Sequence, residues 1–196
     1  MRVPFVLAFG FVVLLLAEPA QSVEVRPALG FGYDFGGEKI HSFTKKDGSL
    51  GQLDAGTGFS FTLGALFKYS QTKPHAFEFE VGTGPKFTSS NQSATGDVDF
   101  WRWPIHLINY YRNTIDLFRI GFGPVYYVEN NVTVKNVGQV ARFKNVLGFT
   151  VRIEKLTDNG KAGFGATYNM VKFERDNGLG NPVNGDGLGF FGAAYF

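Results

Sequence analysis

Residues 58–67, with the sequence GFSFTLGALF, alternate between apolar side chains and mostly small or polar ones. Successive side chains of a β-strand point to opposite faces, so this segment has one apolar face and one glycine-containing, largely polar face. The apolar set is Phe59, Phe61, Leu63, Ala65 and Phe67, and the other set is Gly58, Ser60, Thr62, Gly64 and Leu66. A segment of this length is long enough for a tilted strand to cross a bilayer.

Seven further segments show the same kind of alternation. Together the eight predicted strands are about 23–35, 57–67, 77–87, 98–111, 117–128, 143–153, 162–173 and 187–196. The connectors alternate between long ones (36–56, 88–97, 129–142 and 174–186) and short ones (68–76, 112–116 and 154–161). Bacterial outer-membrane barrels have long extracellular loops and short periplasmic turns. The sequence therefore predicts an all-β fold, an eight-stranded antiparallel up-and-down transmembrane β-barrel.

The composition agrees with a barrel in a membrane. Hydrophobic residues make up 44% of the chain and aromatic residues 16%, yet after residue 22 no run approaches the roughly 18 apolar residues of a transmembrane helix. A closed sheet pairs every backbone polar group within the protein while each strand needs only one apolar face. A secreted soluble barrel of the lipocalin type has the same periodicity with the apolar set inside. Aromatic residues at both ends of the strands and the lack of cysteine favour the membrane alternative.

Residues 1–22 are predicted to be a signal peptide that is removed on export. Arg2 supplies the positive charge, residues 5–16 form an apolar run, and the tripeptide AQS at 20–22 is a cleavage site. Residues 23–196 then form one outer-membrane barrel domain. The chain has no cysteine, which excludes disulfides and a catalytic thiol. A formal net charge of +2 gives no reason to expect a nucleic-acid partner.

The last predicted strand, GLGFFGAAYF at 187–196, ends on Phe196. It is similar to the C-terminal signal by which outer-membrane barrels are recognised for insertion. With the eight-strand pattern, the chain resembles the small outer-membrane barrels of Gram-negative bacteria, such as the OmpA transmembrane domain, OmpX, NspA and OmpW. The resemblance implies residence in the bacterial outer membrane, contact with its lipid, and recognition of Phe196 by the barrel-assembly machinery. No motif distinguishes one member of this class from another.

The predicted inward face carries many charged groups. They are Glu24, Arg26, Asp34, Glu78, Glu80, Lys86, Arg102, His106, Arg119, Lys144 and Arg152. The interior of an eight-stranded barrel is only just wide enough for side chains, and buried charges are costly unless they are paired. We therefore predict an ion-pair network in the lumen formed by Glu78, Glu80, Arg102, Arg119 and Arg152, in which Glu80 pairs with Arg102.

These features favour a non-enzymatic barrel, plugged by its own side chains, that displays four loops as a structural or surface-interaction protein with an unknown loop partner. The alternative is a narrow passive channel for small solutes, hydrophobic ones included. Glu78, Glu80 and His106 could act as acids and bases, but paired carboxylates beside basic groups are ordinary packing inside a barrel. The sequence shows no serine–histidine–acid grouping and no metal-ligand spacing. It predicts no catalytic residues, no metal site and no cofactor.

Four further details concern the backbone and the packing. Residues 82–85 (GTGP) and 121–124 (GFGP) each place a proline in a predicted strand, and because proline cannot donate to the ladder, each predicts a bulge. Pro104 raises the alternative that the phase of the fourth strand flips midway. The inward glycines either leave a void that small molecules could cross or make room for the large inward Arg102, Tyr127, Phe191 and Tyr195, and packing of small residues opposite large ones is the favoured interpretation. The alternation over 132–140 predicts that two strands continue above the membrane as a hairpin.

Overall fold

The computed structural model of the protein describes residues 23–69, 75–90, 93–94, 96–113, 115, 117–178 and 180–196. The predicted signal peptide lies outside the described residues. The strands, in chain order, are β1 Val23–Phe35, β2 Lys39–Thr44, β3 Leu50–Asp54, β4 Gly58–Tyr69, β5 His75–Thr83, β6 Lys86–Ser90, β7 Val98–Asn113, β8 Phe118–Val134, β9 Gly138–Phe143, β10 Val146–Leu156, β11 Ala162–Met170, β12 Lys172–Phe173, β13 Val183–Asn184 and β14 Gly187–Tyr195. In the part of the chain that is described, no helix is long and apolar enough to cross a membrane.

The strands form a closed antiparallel barrel. In the described residues the wall has eight members, namely β1, β4, β5 together with β6, β7, β8, β10, β11 and β14. Each wall strand pairs with the next one along the chain, and β1 pairs with both β4 and β14, which closes the sheet. The predicted fold is therefore confirmed.

The two faces of the wall strands carry opposite kinds of side chain. On β4 the outward Leu63 is 53% exposed, whereas the inward Leu66 is buried. The large apolar residues that are exposed on the wall include Val25, Leu29, Phe31, Phe61, Val81, Ile105, Ile120, Phe122, Leu147, Phe164 and Phe190. The buried residues of the same strands include many charged ones, which is the reverse of a soluble protein. Such a surface is stable only in lipid, so the barrel is a transmembrane barrel.

Aromatic rings pack against one another at both ends of the outer surface. At the end with the long connectors, Phe87 stacks on Trp101 with ring centroids 5.2 Å apart. At the end with the short connectors, Phe77 meets Tyr111 edge-on at 5.7 Å. Two aromatic belts of this kind mark the membrane interfaces of outer-membrane barrels. By the loop-length rule of this class, the long-connector end is the extracellular end.

The prolines act differently from one another. The third wall strand breaks at Pro85, between β5 and β6, and the carbonyl of Pro85 accepts a hydrogen bond from the Phe61 N–H at 3.0 Å. Pro124 pairs with Phe149 in an unbroken register, so the bulge predicted there is wrong. The register shift between β7 and β8 lies instead near Glu129, whose φ is 55°. Beyond Pro104 the inward phase of β7 continues, so that strand does not flip.

The third long connector forms a hairpin, as the alternation predicts. β8 continues to Val134, and β9 returns along it to Phe143. Between β9 and β10 the phase of inward residues shifts by one position. Phe143, at the end of β9, is buried, and the next residue, Lys144, is exposed. The inward position predicted for Lys144 is therefore wrong. Its Nζ lies 3.1 Å from Glu174 Oε2 in an exposed ion pair outside the barrel.

Candidate functional site in the barrel lumen

The inward side chains of β7 give the order of layers in the lumen. From the extracellular end downward the buried ones are Val98, Phe100, Arg102, His106, Ile108 and Tyr110. Small residues on neighbouring strands make room for large ones. An added Cβ on Gly82 would lie 2.6 Å from His106 Nε2, and one on Gly121 would lie 2.5 Å from the Tyr110 ring. Glycine therefore packs opposite large inward residues here, as favoured from the sequence, although His106 and Tyr110 are not the large residues predicted for that role.

The lower lumen is filled by a group that we call the ionic layer. It consists of Glu78, Glu80, Arg112, Arg119, Arg152 and Glu154, with His106, Tyr110 and Tyr195. Three carboxylates face three guanidinium groups, and the buried Lys68 lies opposite Glu78 on the neighbouring strand. Pairing of this kind avoids the large cost of an unpaired buried charge.

Arg119 lies at the centre of the ionic layer and is only 1% exposed. Its Nε donates to Glu154 Oε2 at 2.7 Å, its Nη1 donates to Glu78 Oε2 at 2.8 Å, and its Nη2 donates to the Tyr195 hydroxyl. The Arg119 guanidinium also lies 4.0 Å from the Tyr110 ring centroid and 4.7 Å from that of Tyr195. Every nitrogen of this guanidinium therefore has an acceptor, and both flanking rings add cation–π attraction.

Glu80 organises the upper part of the ionic layer. Its Oε1 lies 3.0 Å from His106 Nε2 and accepts a hydrogen bond from Arg152 Nη1 at 3.0 Å. Its Oε2 accepts from the Tyr110 hydroxyl at 3.3 Å. Arg152 projects from β10, three wall strands away from Glu80 on β5, so this ion pair spans the lumen.

The structure brings together Glu78, Glu80, Arg119 and Arg152, and it separates Arg102 from them. The pairing of Glu80 with Arg102 is therefore wrong. Arg102 lies opposite Lys86 on β6, above the break at Pro85, while Glu80 lies below that break.

Sequence reasoning missed Glu154, because the sixth strand was predicted to end at Ile153. The strand continues to Leu156, and the inward phase of Thr150 and Arg152 would have placed Glu154 in the lumen. Arg112 was missed for the same reason, because it was assigned to a connector. At the lower rim Arg26 pairs with Glu24, whose side chain is half exposed.

The upper lumen holds a second set of charges. Lys86 Nζ lies 2.6 Å from Asp34 Oδ2 in a buried ion pair, and Asn169 Nδ2 donates to the same oxygen at 3.4 Å. Arg102 donates to the backbone carbonyls of Ala55 and Thr57.

Between the two sets of charges lies a cavity of about 60 Å³. Its polar lining includes Lys86, His106, Thr150 and Asn169. A polar space of this size has room for a few water molecules.

The extracellular mouth is covered by a segment that we call the mouth hairpin, residues 36–57 with β2 and β3 at its centre. Its apolar side chains pack against the upper inner wall in one buried cluster. That cluster contains Ile40, Phe43, Leu53 and Ala55 from the hairpin and Val98, Phe100, Val125, Tyr127, Val132, Val134, Phe143, Val171 and Phe173 from elsewhere. The hairpin is tied to two other loops, because Glu38 N donates to Asn184 O at 2.6 Å and Ala94 N donates to Thr44 O at 2.8 Å.

His41 lies on the mouth hairpin, where its side chain is partly buried and uncharged at neutral pH. Burial lowers the pKa of His41, and the nearby Arg175 lowers it further. The neutral imidazole therefore dominates at neutral pH. Among the described residues, no group of three or more histidine, aspartate or glutamate side chains is arranged to hold a metal ion.

Comparisons with known proteins identify the fold. No family model and no curated protein matches the chain. The attachment invasion locus protein Ail of Yersinia pestis, solved in complex with the heparin analogue sucrose octasulfate, is 15% identical, with 89% of this chain and 98% of that chain covered and a TM-score of 0.51. Neisserial surface protein A (NspA) is 11% identical, with 89% and 99% covered and a TM-score of 0.51.

At these identities the matches establish a shared architecture. It agrees with the lipid-facing apolar wall, the two aromatic belts and the polar lumen. This chain therefore has the fold of the small eight-stranded outer-membrane β-barrels and is an integral barrel of that type.

Proposed function

We propose that this protein is a closed outer-membrane barrel that anchors an extracellular interaction surface and does not work as an open pore. The observation that carries the proposal is the presence of two closures in series. The mouth hairpin fills the upper lumen with apolar side chains, and the ionic layer fills the lower lumen with paired charges. A solute that passed one closure would still meet the other.

The long-connector end supplies the proposed contact surface. Near the turns of its two hairpins, Leu50 is 82% exposed and Val137 is 65% exposed, well above the lipid-facing wall. Over 36–56, 88–97, 129–142 and 174–186 the described residues carry six basic side chains (Lys39, Lys45, Lys46, Lys135, Arg142 and Arg175) and eight acidic ones (Glu38, Asp47, Asp54, Asp97, Glu129, Glu174, Asp176 and Asp186). This mixture, with a slight acidic excess, favours a mixed-charge protein surface as the partner over a polyanion. We therefore do not propose a polyanion, such as the heparin analogue bound to Ail, as the ligand of this chain.

Solute flux tests the closed state. Liposomes that contain the refolded protein are expected to take up arabinose no faster than empty liposomes. A variant with residues 38–55 replaced by a short glycine–serine linker is also expected to stay closed, because the ionic layer remains. Uptake by the wild-type protein above that of empty liposomes would overturn the proposal and support the alternative, a narrow passive channel. The observation that favours this alternative is the polar cavity of about 60 Å³ between the two closures.

The surface role has a separate test. Bacterial cells that carry the protein are expected to adhere to a protein-coated surface more strongly than cells that lack it, and the double variant Leu50→Ser/Val137→Ser is expected to lose most of that adhesion. Leu147→Ser is the matched control, because Leu147 is exposed to lipid and not to the outside. Equal adhesion by cells with and without the protein would remove the support for this role.

We also propose that Phe196 is read by the barrel-assembly machinery. Its side chain is 67% exposed, and its N–H donates to Pro27 O at 3.0 Å, so deleting it removes little packing. Deletion of Phe196 is expected to lower the amount of assembled barrel in cells several-fold, while the purified variant refolds in vesicles as well as the wild type. Undiminished outer-membrane levels, or an equal defect in refolding, would count against a recognition role.

A further inference from the structure

The starting observation is the environment of Arg102. Its side chain is 1% exposed, and among the described residues no carboxylate lies within ion-pair distance of it. Its hydrogen-bond acceptors are the carbonyls of Ala55 and Thr57 and the Thr88 hydroxyl, and its Nε has no partner. A buried guanidinium is normally compensated by an anion. Among the described residues, the buried charged side chains of the upper lumen are thus two cations, Arg102 and Lys86, and one carboxylate, Asp34.

An aromatic pocket lies directly above this charge. The Phe173 ring centroid is 5.8 Å from that of Phe100 and 5.6 Å from that of Tyr127, and the Phe100 ring lies 4.3 Å from the Arg102 guanidinium. The mouth hairpin fills this pocket with its apolar side chains and places two carbonyl oxygens on Arg102. The hairpin therefore occupies the pocket as a ligand with an apolar body and an oxygen-bearing end would.

The hairpin is not part of the barrel wall. β2 and β3 form a two-stranded sheet of their own, so moving them breaks no hydrogen bond of the wall. The stem before β2 contains two glycines with positive φ, Gly36 at 119° and Gly37 at 82°, and the wall strand that follows the hairpin begins at Gly58, whose φ is 153°. Only glycine adopts such angles at little cost, and a few residues of this kind can absorb the backbone change of a hinge.

From this geometry we propose that the pocket beneath the mouth hairpin binds a small amphiphile with an apolar body and a carboxylate head, which displaces the hairpin and pairs with Arg102. The carboxylate supplies the negative charge that the backbone carbonyls lack, and a charge-assisted bidentate contact is stronger than one to neutral carbonyls. The apolar body replaces the hairpin side chains against Phe100, Tyr127 and Phe173. This binding goes beyond the proposed surface role and needs no passage through the ionic layer.

The test uses a matched pair of probes and a cross-link. The full mature protein in nanodiscs is titrated with 4-phenylbutyrate and with the uncharged 4-phenylbutanol, and binding to empty nanodiscs is subtracted. Lys45 and Ser93 are bridged as antiparallel neighbours, so their Cα atoms have the spacing that a disulfide requires. The variant Lys45→Cys/Ser93→Cys locks the hairpin over the pocket when oxidised, and a reductant releases it.

We expect saturable binding of one phenylbutyrate per barrel, at least about tenfold tighter than phenylbutanol. Oxidation of the double-cysteine variant should abolish that binding, and reduction should restore it. Arg102→Met should bind the two probes equally, whereas Lys144→Met, which removes a cation outside the barrel, should behave as the wild type. Equal affinity for the two probes in the wild type, binding that survives the cross-link, or an equal loss in Lys144→Met would each overturn the proposal.

Discussion

Arg119→Met is expected to lower the free energy of unfolding by about 3–5 kcal/mol, the usual loss when one partner of a buried ion pair is removed. The substitution leaves Glu154 in the lumen without a cation, since only the Tyr195 hydroxyl then donates to it, at 2.9 Å. Glu78 keeps Arg112, whose Nη1 lies 3.1 Å away. Urea unfolding in phosphatidylcholine vesicles, followed by tryptophan fluorescence, measures the change.

Two further variants make this result specific to the buried charge. The double variant Arg119→Met/Glu154→Gln should recover part of the lost stability, because it removes the stranded carboxylate. Arg142→Met is the matched control, since Arg142 is 64% exposed and its nearest contact to Asp176 is 3.7 Å; exposed pairs of this kind contribute about 1 kcal/mol or less. Equal losses for Arg119→Met and Arg142→Met would show that the ionic layer does not stabilise the barrel.

Leu63→Arg is expected to destabilise the inserted barrel by roughly 2–4 kcal/mol, the cost of arginine on the lipid face near the bilayer midplane. Leu63 lies midway along β4, between outward aromatic residues at the two ends of the strand, Phe59 and Phe67. Its cross-strand neighbours are Leu29 and Thr83, neither of which could neutralise a guanidinium. The folded fraction as a function of urea, in the same vesicles, gives the measurement.

The same substitution at a water-exposed site separates the effect of depth from that of the residue change. Leu50→Arg on the mouth hairpin is expected to alter stability by less than about 0.5 kcal/mol, because a surface substitution away from packed groups rarely does more. If both leucine variants unfold at the wild-type urea concentration, the outer face of β4 does not contact the hydrocarbon core.

In the proposed closed barrel the two closures differ physically, and this difference limits what each can do. The ionic layer joins wall strands across the lumen through Arg119 and Arg152, so opening it leaves buried charges unpaired. The mouth hairpin is held by apolar contacts, by loop hydrogen bonds and by the hydrogen bonds of its carbonyls with Arg102, and in the described part of the chain its two strands share no ladder hydrogen bond with the wall. Movement is therefore expected at the extracellular mouth, above a lower lumen that stays closed.

Two of the positions where sequence reasoning failed share a cause. Glu154 and Lys144 lie at strand ends, where one residue more or less of strand decides which side of the wall a side chain takes. At Lys144 the break between β9 and β10 shifts the inward phase by one residue. At Glu154 the alternation continues, because β10 runs to Leu156 and does not end at Ile153. A bulge or a break leaves little trace in an alternating pattern, so these assignments required the observed register.

The sequence by itself determined the number of wall strands, the ends at which long and short connectors lie, and the face of most residues. It could do so because a side-chain period of two marks the lipid face of each strand without reference to any other strand. The tertiary structure alone decided which charges meet. Glu80 and Arg152 are 72 residues apart in the chain and project from wall strands that are three apart in the barrel. Their depth in the lumen depends on the register with which the tilted sheet closes. The same holds for Arg102, whose partners lie on a loop that turns inward over the mouth, since no local pattern records where a loop packs after the barrel has closed.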